Sequence, residues 1–361
     1  MRDVRSAARR AGPRREPSPA SRAIADEPPK RILALDAHRG LALVVLVLVN
    51  TAGIRSALPY QLDHPEWHGL TFADTFFPVF LFAMGAAMGF SSRAQRVPSV
   101  LKRVGLLFAL GVGLSWLRSG EPRVTGILQK IAFAYLAAWL VLRLPRRLHV
   151  PVAVAVMAGM WAAFTWASPA GVVAGSWEPG TNFAVFLDRT VVGYPSVEGF
   201  ATAIMATVNV IGGAVVVRGL RGIPPRAALG QIALWAAASI VVGLGLSLAI
   251  PVNKRIWTPS FTVLAHGIAC AYLGLFWWLS EIRRWTWTVR PFVALGRNPI
   301  FIYVLFTAAH VVITPLRVPV MASLADSVGA LVASLVWSGA LLIVAVGLAE
   351  WMDRHRIYVR V

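Results

Sequence analysis

Residues 33–52 read LALDAHRGLALVVLVLVNTA. From Gly40 to Val49 no side chain is polar, while Asp36 and Arg39 stand before the run and Asn50 closes it. Such a stretch reads as a helix that crosses a hydrocarbon core, which takes roughly 20 residues at about 1.5 Å each. Asp36 and Arg39 are three apart and so share one face at the mouth of that helix. Nine more apolar segments follow, near 72–91, 102–117, 124–144, 149–168, 198–218, 227–250, 258–280, 291–313 and 328–350, the one at 102–117 being short. The expected fold class is all-α, a polytopic transmembrane bundle of about ten helices. Residues 31–361 form its single domain, behind a disordered basic tail over 1–30 that is rich in Arg, Pro, Ala and Ser. Tail plus Leu41–Val49 imitates a secretory signal peptide, but the bracketing polar residues favour an uncleaved first helix.

Composition supports the membrane reading. Of 361 residues 57% are hydrophobic and 14% charged, with a mean hydropathy of +0.65, which excludes a soluble domain of this length. The net charge of +19 does not indicate nucleic acid, because the basic residues punctuate the ends of apolar runs. Cys270 is the only cysteine, so neither an internal disulfide nor a cysteine-based metal site can form.

Placing the N-terminus inside puts 27 of the 35 basic residues on the inner side and makes every short inner loop basic. Both termini are then cytoplasmic. The outer side keeps Arg55, Arg118, Arg123, Lys130, Arg189, Lys254, Arg255 and Arg317, offset by carboxylates such as Asp63, Asp74 and Glu178. The longest outer loop, about 169–197, contains Trp177, Glu178 and Tyr194. Its mixed polar and aromatic character suits a sugar, although an interfacial belt accounts for most single Trp residues in membrane proteins.

The densest chemistry lies between Arg31 and Ser91. After Asn50 come His64-Pro-Glu66-Trp67-His68-Gly69-Leu-Thr71-Phe-Ala-Asp74, then Phe76-Phe77-Pro78-Val-Phe80-Leu-Phe-Ala-Met-Gly85. A histidine at the outer mouth is a natural general base, a carboxylate can fix its tautomer, and an asparagine can donate to an oxyanion. The competing reading of His64 is a solvated loop residue. Gln129 and Lys130 open the fourth segment inside apolar surroundings, where a charge is costly and tends to be functional; a snorkelling lysine is the alternative. His266 and His310, in apolar segments, read as packed residues. No pattern for a metal site is present.

The order R-x-L-x-L-D-x-x-R-G, apolar run, V-N, then H-x-x-W-x-G-x-T-x-x-D-x-x-F-P-x-F-L-F-x-x-G resembles the heparan-alpha-glucosaminide N-acetyltransferase family of transmembrane acetyltransferases and its bacterial relatives. Three later blocks are similar to the same family: Gly126-Ile-Leu-Gln129-Lys130-Ile-Ala, Pro251-Val-Asn253-Lys254-Arg255-Ile-Trp257-Thr258-Pro-Ser260-Phe and Gly296-Arg297-Asn298-Pro-Ile-Phe-Ile-Tyr303. The resemblance covers most of residues 31–310. It implies a multi-pass protein of a bacterial inner (plasma) membrane. Cytoplasmic acetyl-CoA gives its acetyl group to an amine, or a hydroxyl, of an extracytoplasmic sugar or glycan, without a metal or nucleic acid. His64 inherits the role of acetyl acceptor or general base, with Asn50 and Asp74 as its catalytic companions. Arg39, Arg297, Asn298, Gln129 and Lys130 become candidates for holding acetyl-CoA, and Trp67, His68, Asn253 and Lys254 for the acceptor sugar. Besides the lipid bilayer, a homodimer is a partner the family leaves open. The chain departs from the family where His68 replaces the usual Asn and Lys130 the commoner Arg, which bears on the acceptor more than on the reaction.

Two rival readings remain, one from a neighbouring enzyme family and one from a different class altogether. A second membrane acyltransferase family, which O-acylates sugars, also begins R-x-x-x-L-D-x-x-R-G but carries a histidine in its first helix, where this chain has Val49-Asn50. A transporter or flippase commonly shows inverted repeats and helices broken at the midplane, and no repeat is visible here. Close helix packing is expected at Gly85 and Gly89, or at Gly111 and Gly113.

Overall fold

The computed structural model describes residues 32–90, 96–196 and 199–359, so the basic tail expected over 1–30 lies outside the described residues. The helices are α1 (Leu33–Asn50), α2 (Phe76–Phe90), α3 (Val97–Ser119), α4 (Ile127–Leu142), α5 (His149–Trp166), α6 (Phe183–Val192) and α7 (Phe200–Gly219). Then come α8 (Pro225–Ser247), α9 (Pro259–Trp277), α10 (Thr286–Arg297), α11 (Pro299–Val312), α12 (Thr314–Val328) and α13 (Ala330–Arg354). A 3₁₀ turn, Phe72–Thr75, leads into α2, and a π turn, Trp278–Ile282, prolongs α9. Leu33–Val361 make one compact unit.

Among the described residues eight helices are long and apolar enough to cross a membrane. The two remaining expected segments take other forms. That at 124–144 becomes α4, with only 16 residues. That at 291–313 is broken into α10 and α11, which meet at 74°. The break falls at Asn298, because Pro299 brings no N–H and disfavours helical backbone in the residue before it. The short third segment proves to be a 23-residue helix, α3, closed by Gly120 in the left-handed region (φ 71°). Two short helices, α6 and α12, were not expected from the apolar pattern.

The burial pattern is that of a bundle with a protein-filled centre. Most residues of α2 and α7 are buried and about half those of α1 and α9, whereas α3, α5, α8 and α13 bury only about a fifth. The outer helices turn Leu234, Val241 and Ile343 outward, as lipid-facing helices do when lipid is as apolar as the core. Small residues set the central contacts. A Cβ at Gly85 would run into the carbonyl of Val210 on α7, one at Gly40 into Phe292 O on α10, and one at Gly296 into Asp36 O on α1. Of the expected close contacts Gly85, Gly89 and Gly111 are made, whereas Gly113 faces open space.

Replacing Gly40 by Val is therefore expected to push α1 off α10. Overpacking of this kind costs about 1–3 kcal/mol or more. Thermal unfolding in detergent measures it, with Gly113→Ala as the control that should stay within about 0.5 kcal/mol of the parent.

Candidate active site

Two loops meet at one end of the bundle, and each is built to hold a side chain. The first follows α1. Asp63 accepts from Arg55 Nε at 2.9 Å and from the backbone N–H of His64 at 2.8 Å, which fixes the chain at His64. Burial works to raise the Asp63 carboxyl, but the Arg55 hydrogen bond, the His64 N–H and nearby positive charge outweigh it and hold it below the usual carboxylate range. Beyond, Gly69 at φ 125° donates its N–H to Val252 O at 2.8 Å. The loop ends in a capping box, in which Asp74 Oδ2 accepts from Thr71 N and Thr71 Oγ1, both at 3.1 Å.

The second loop, 251–258, turns around Asn253, which is wholly buried. Its N–H donates to Thr258 Oγ1 at 3.0 Å, its Oδ1 accepts from Ile256 N at 3.2 Å, and its Nδ2 meets His68 Nδ1 at 3.2 Å. Trp257 takes φ 50°, a left-handed backbone that costs a bulky residue about 1–3 kcal/mol. Its buried indole packs edge-on against Phe77 and Phe261. Thr258 then caps α9 through Phe261 N at 3.4 Å. The tight turn aims Lys254 at the first loop.

There His64, Asp74 and Lys254 converge. His64 Nδ1 lies 2.6 Å from Asp74 Oδ1, and Lys254 Nζ lies 3.1 Å from the same oxygen. Nζ is also 3.3 Å from each ring nitrogen of His64. Asp74 is fully buried while His64 is about a quarter exposed. Asp74 Oδ2 is met by the two Thr71 donors, whereas the buried Oδ1 has His64 and Lys254 at ion-pair distance and no hydrogen bond of regular geometry. With Nδ1–H given to Asp74, the lone pair of His64 resides on Nε2.

His64 and Lys254 stand between two cavities. One, of about 80 Å³, is walled by Val45, Leu46, Val49, Phe76, Phe77 and Ile127 and has Asn50 as a further polar lining residue. The other, of about 460 Å³, is polar and bounded by Arg55, Glu66, Trp67 and Arg255. Asn50 thus lines the same cavity as His64 and Lys254. Trp67 Nε1 donates to Trp177 O at 2.8 Å, and His68 Nε2 meets Glu178 Oε1 at 3.2 Å, so the 177–178 stretch is tied onto the first loop. Trp177 is stacked on Phe164.

Other expected residues lie elsewhere. Arg39 is about 16 Å from Asn50 along α1, taking 11 residues at 1.5 Å each. It approaches Asp36 at 3.5 Å and donates to Gly296 O at 3.1 Å. Arg297 pairs with Asp353. Asn298 Nδ2 donates to Ile357 O at 2.9 Å and its Oδ1 accepts from Val359 N at 2.8 Å, which ties down the residues after α13. Lys130 is buried between the rings of Phe77 and Trp257, 5.2 Å from each. Gln129 donates to Arg123 O at 2.9 Å. Three site residues went unrecognised: Asp63, which stands directly before His64; Arg55, its partner; and Arg255, whose guanidinium reaches Pro65 O at 3.4 Å. Adjacency to His64 and to Lys254 was the available signal.

Residues 31–179 match the sequence profile described as heparan-alpha-glucosaminide N-acetyltransferase, catalytic. The chain is 25% identical to the heparan-alpha-glucosaminide N-acetyltransferase of Homo sapiens over 361 aligned positions, covering 76% of this chain and 52% of the human protein. The Mus musculus protein of that name is 26% identical, with 76% and 53% covered. The chain spans about half the length of these curated relatives. Asn50, His64 and Asp74 all fall within 31–179, and Lys254 comes after it.

Proposed function

We propose, for a chain that belongs over residues 31–179 to the heparan-alpha-glucosaminide N-acetyltransferase family, that it moves an acetyl group from cytoplasmic acetyl-CoA to an amine, or a hydroxyl, of an extracytoplasmic sugar in a bacterial inner membrane. The observation that carries this reading is the position of His64, held by Asp74 and standing between an apolar cavity and a polar one. The smaller cavity, about 80 Å³ and lined by apolar side chains together with His64, Lys254 and Asn50, is assigned to the acetyl thioester. The polar one, with Trp67 in its wall, fits a sugar.

Acetyl-CoA supplies an activated acyl group. His64 Nε2 acts in one of two ways. As nucleophile, it attacks the thioester carbonyl, expels the CoA thiolate and carries the acetyl group until the acceptor amine takes it and regenerates the imidazole. As general base, it removes the acceptor's proton while both substrates are bound. In both, Asp74 fixes the tautomer, while Lys254 and Asn50 face the same cavity as His64 and donate to the oxyanion that forms on the carbonyl. Arg39, Arg297 and Asn298, at the other end of the bundle, are assigned to the nucleotide phosphates. Arg39 and Arg297 are balanced there by Asp36 and Asp353, so the phosphates compete with those carboxylates. Trp67, His68 and Asn253 are assigned to the acceptor side, with His68 and Asn253 shaping the wall rather than reaching out from it.

The test uses the full chain in sealed vesicles of one orientation, with acetyl-CoA on one face and a glucosamine-type acceptor on the other. The expected result is acceptor-dependent release of CoA thiol on the donor face and N-acetylated product on the opposite face. Well-folded protein that neither binds nor turns over acetyl-CoA, across amine and hydroxyl acceptors, would overturn the reading.

A further inference from the structure

The turn that aims Lys254 is gripped from outside by His68, and the neighbours fix the tautomer of that histidine. The backbone N–H of Ile256 can only donate, so the atom of Asn253 that faces it at 3.2 Å is Oδ1. Asn253 therefore turns Nδ2 to His68 Nδ1, 3.2 Å away, and an amide nitrogen also only donates. His68 accepts at Nδ1, which leaves the proton of the neutral imidazole on Nε2, where it is donated to Glu178 Oε1 at 3.2 Å. The hydrogen bonds form a one-way chain from Ile256 through Asn253 and His68 to Glu178. It joins segments far apart in sequence, since His68 is 110 positions from Glu178 and 185 from Asn253. Its inner end is fixed, because Asn253 is wholly buried, while the side chains of His68 and Glu178 are 35% and 68% exposed.

This chain has no room for a second proton on His68. An imidazolium carries N–H at both nitrogens, so its Nδ1–H would face Asn253 Nδ2, donor against donor. Asn253 cannot answer by flipping its amide, because the buried N–H of Ile256 would then lose its acceptor. At the other end the imidazolium gains, since Glu178 is the one carboxylate within 4 Å of it among the described residues. The other titratable groups on the elements packed against it are Asp63, His64, Glu66 and Asp74 on its own loop, and Lys254 and Arg255 on the turn. Of the two bases, Lys254 is held by Asp74 at 3.1 Å and Arg255 by Pro65 O at 3.4 Å. Protonation thus trades the bond to the turn for a stronger bond to the outer stretch. Lys254 directly follows Asn253, so loss of that grip loosens its aim at Asp74 and His64. We propose that neutral His68 is a positioning residue for Lys254, latching the 251–258 turn to the outer stretch at 177–178, and that a second proton on its imidazole releases the latch. The importance of Lys254 for turnover rests on the acyl-transfer reading; the latch itself does not.

Two substitutions split the latch, and neither introduced side chain titrates. In His68→Asn the amide oxygen takes the place of Nδ1 and still accepts from Asn253, while the shorter side chain gives up Glu178. In His68→Gln the amide nitrogen takes the place of Nε2 and still donates to Glu178, while Asn253 Nδ2 loses its acceptor. Hydrogen exchange of the full chain in detergent, corrected for its intrinsic pH dependence, reads the amides of 252–258 from about pH 8 to about pH 5.5, across the ordinary histidine range. In the parent, protection there should fall about 10-fold on acidification, the effect of one lost hydrogen bond. It should stay high at every pH in His68→Asn and low at every pH in His68→Gln. Glu178→Gln, at an exposed side chain, should move the parental step to lower pH, because it removes the charge that favours the imidazolium. In turnover, kcat of His68→Gln should lie about 10-fold below that of His68→Asn. The exchange pattern in a chain that transfers no acetyl group would keep the latch and sink the acyl-transfer reading. A pH step that survives in His68→Asn would belong to His64 and overturn the proposal. So would equal protection in the two variants, or equal kcat with only the acceptor KM raised, which would make His68 a direct contact of the acceptor.

Discussion

Replacing His64 by Ala is expected to lower acceptor-dependent release of CoA by about a thousand-fold or more while leaving the fold in place. The rate effect follows from the loss of the imidazole that lines both cavities and serves as base or acetyl carrier; positioned acid–base catalysis alone contributes about 10²–10⁴-fold. The stability effect is small for a geometric reason. When the imidazole leaves, Asp74 still has Lys254 at 3.1 Å and the two Thr71 donors at 3.1 Å, so no buried charge is stranded. His64 is also about a quarter exposed and opens onto the polar cavity, which water can fill. A melting temperature within a few degrees of the parent, with turnover gone, would separate chemistry from folding. His64→Gln should be as inactive, since an amide keeps hydrogen bonding but neither accepts a proton usefully nor carries an acyl group. Turnover near the parental rate in either variant would remove His64 from the mechanism, and Lys254 would become the group to test.

The fold was legible wherever lipid imposes a simple rule. A helix crossing hydrocarbon must satisfy its backbone internally and show apolar side chains all round, so α1, α2, α7, α8, α9 and α13 announce themselves as uninterrupted runs. The rule fails where a helix does not simply cross. Segment 291–313 is mostly apolar in its second half, and only the pair Asn298-Pro299 marks the 74° break. Helices α6 and α12 are short, and their surroundings rather than their hydrophobicity make them helical. Gly113 shows a further limit. A glycine on an apolar helix is a packing site only if its face meets another helix, and no periodicity distinguishes that face from one toward lipid.

The candidate site was legible in part, for a similar reason. Asn50, His64 and Asp74 lie within 25 residues of one another, on two consecutive segments joined by one loop, so their meeting follows from adjacency. Lys254 is 190 positions from His64, and no spacing rule reaches that far. What brings it in is the Asn253 turn, the strained Trp257 backbone and the pairing of Gly69 with Val252. For Arg39, Arg297 and Asn298 the sequence shows the helix-mouth position but not the protein partners each has. Charged and amide residues at helix mouths read as ligand-binding groups. Here Arg39 and Arg297 already have carboxylate partners, and Asn298 holds the segment after α13.

Asp74 carries two tasks, and two substitutions separate them. Asp74→Ala is expected to cost both stability and activity. It removes the counter-charge of Lys254, which is only 15% exposed, and breaking a buried pair by deleting one partner costs about 3–5 kcal/mol. It also removes the cap of the Thr71 turn, worth about 1 kcal/mol. Asp74→Asn behaves differently. The two Thr71 donors select the amide oxygen for the Oδ2 position, so the cap survives. The amide NH₂ then occupies the Oδ1 position, facing His64 Nδ1 and Lys254 Nζ. A donor there forces His64 to present an acceptor at Nδ1 and moves its proton to Nε2, the tautomer that can neither attack a carbonyl nor accept a proton. Turnover should fall by about 10²–10⁴-fold, comparable to the effect of the same change in the Ser-His-Asp triad. The NH₂ also meets the Lys254 ammonium, so some stability is lost as well. Adding Lys254→Met relieves that repulsion and should return the melting temperature toward the parental value while leaving turnover low. A protein restored in both respects would mean that Asp74 only balances Lys254, and full activity in Asp74→Asn alone would mean that the tautomer of His64 is set by something other than this carboxylate.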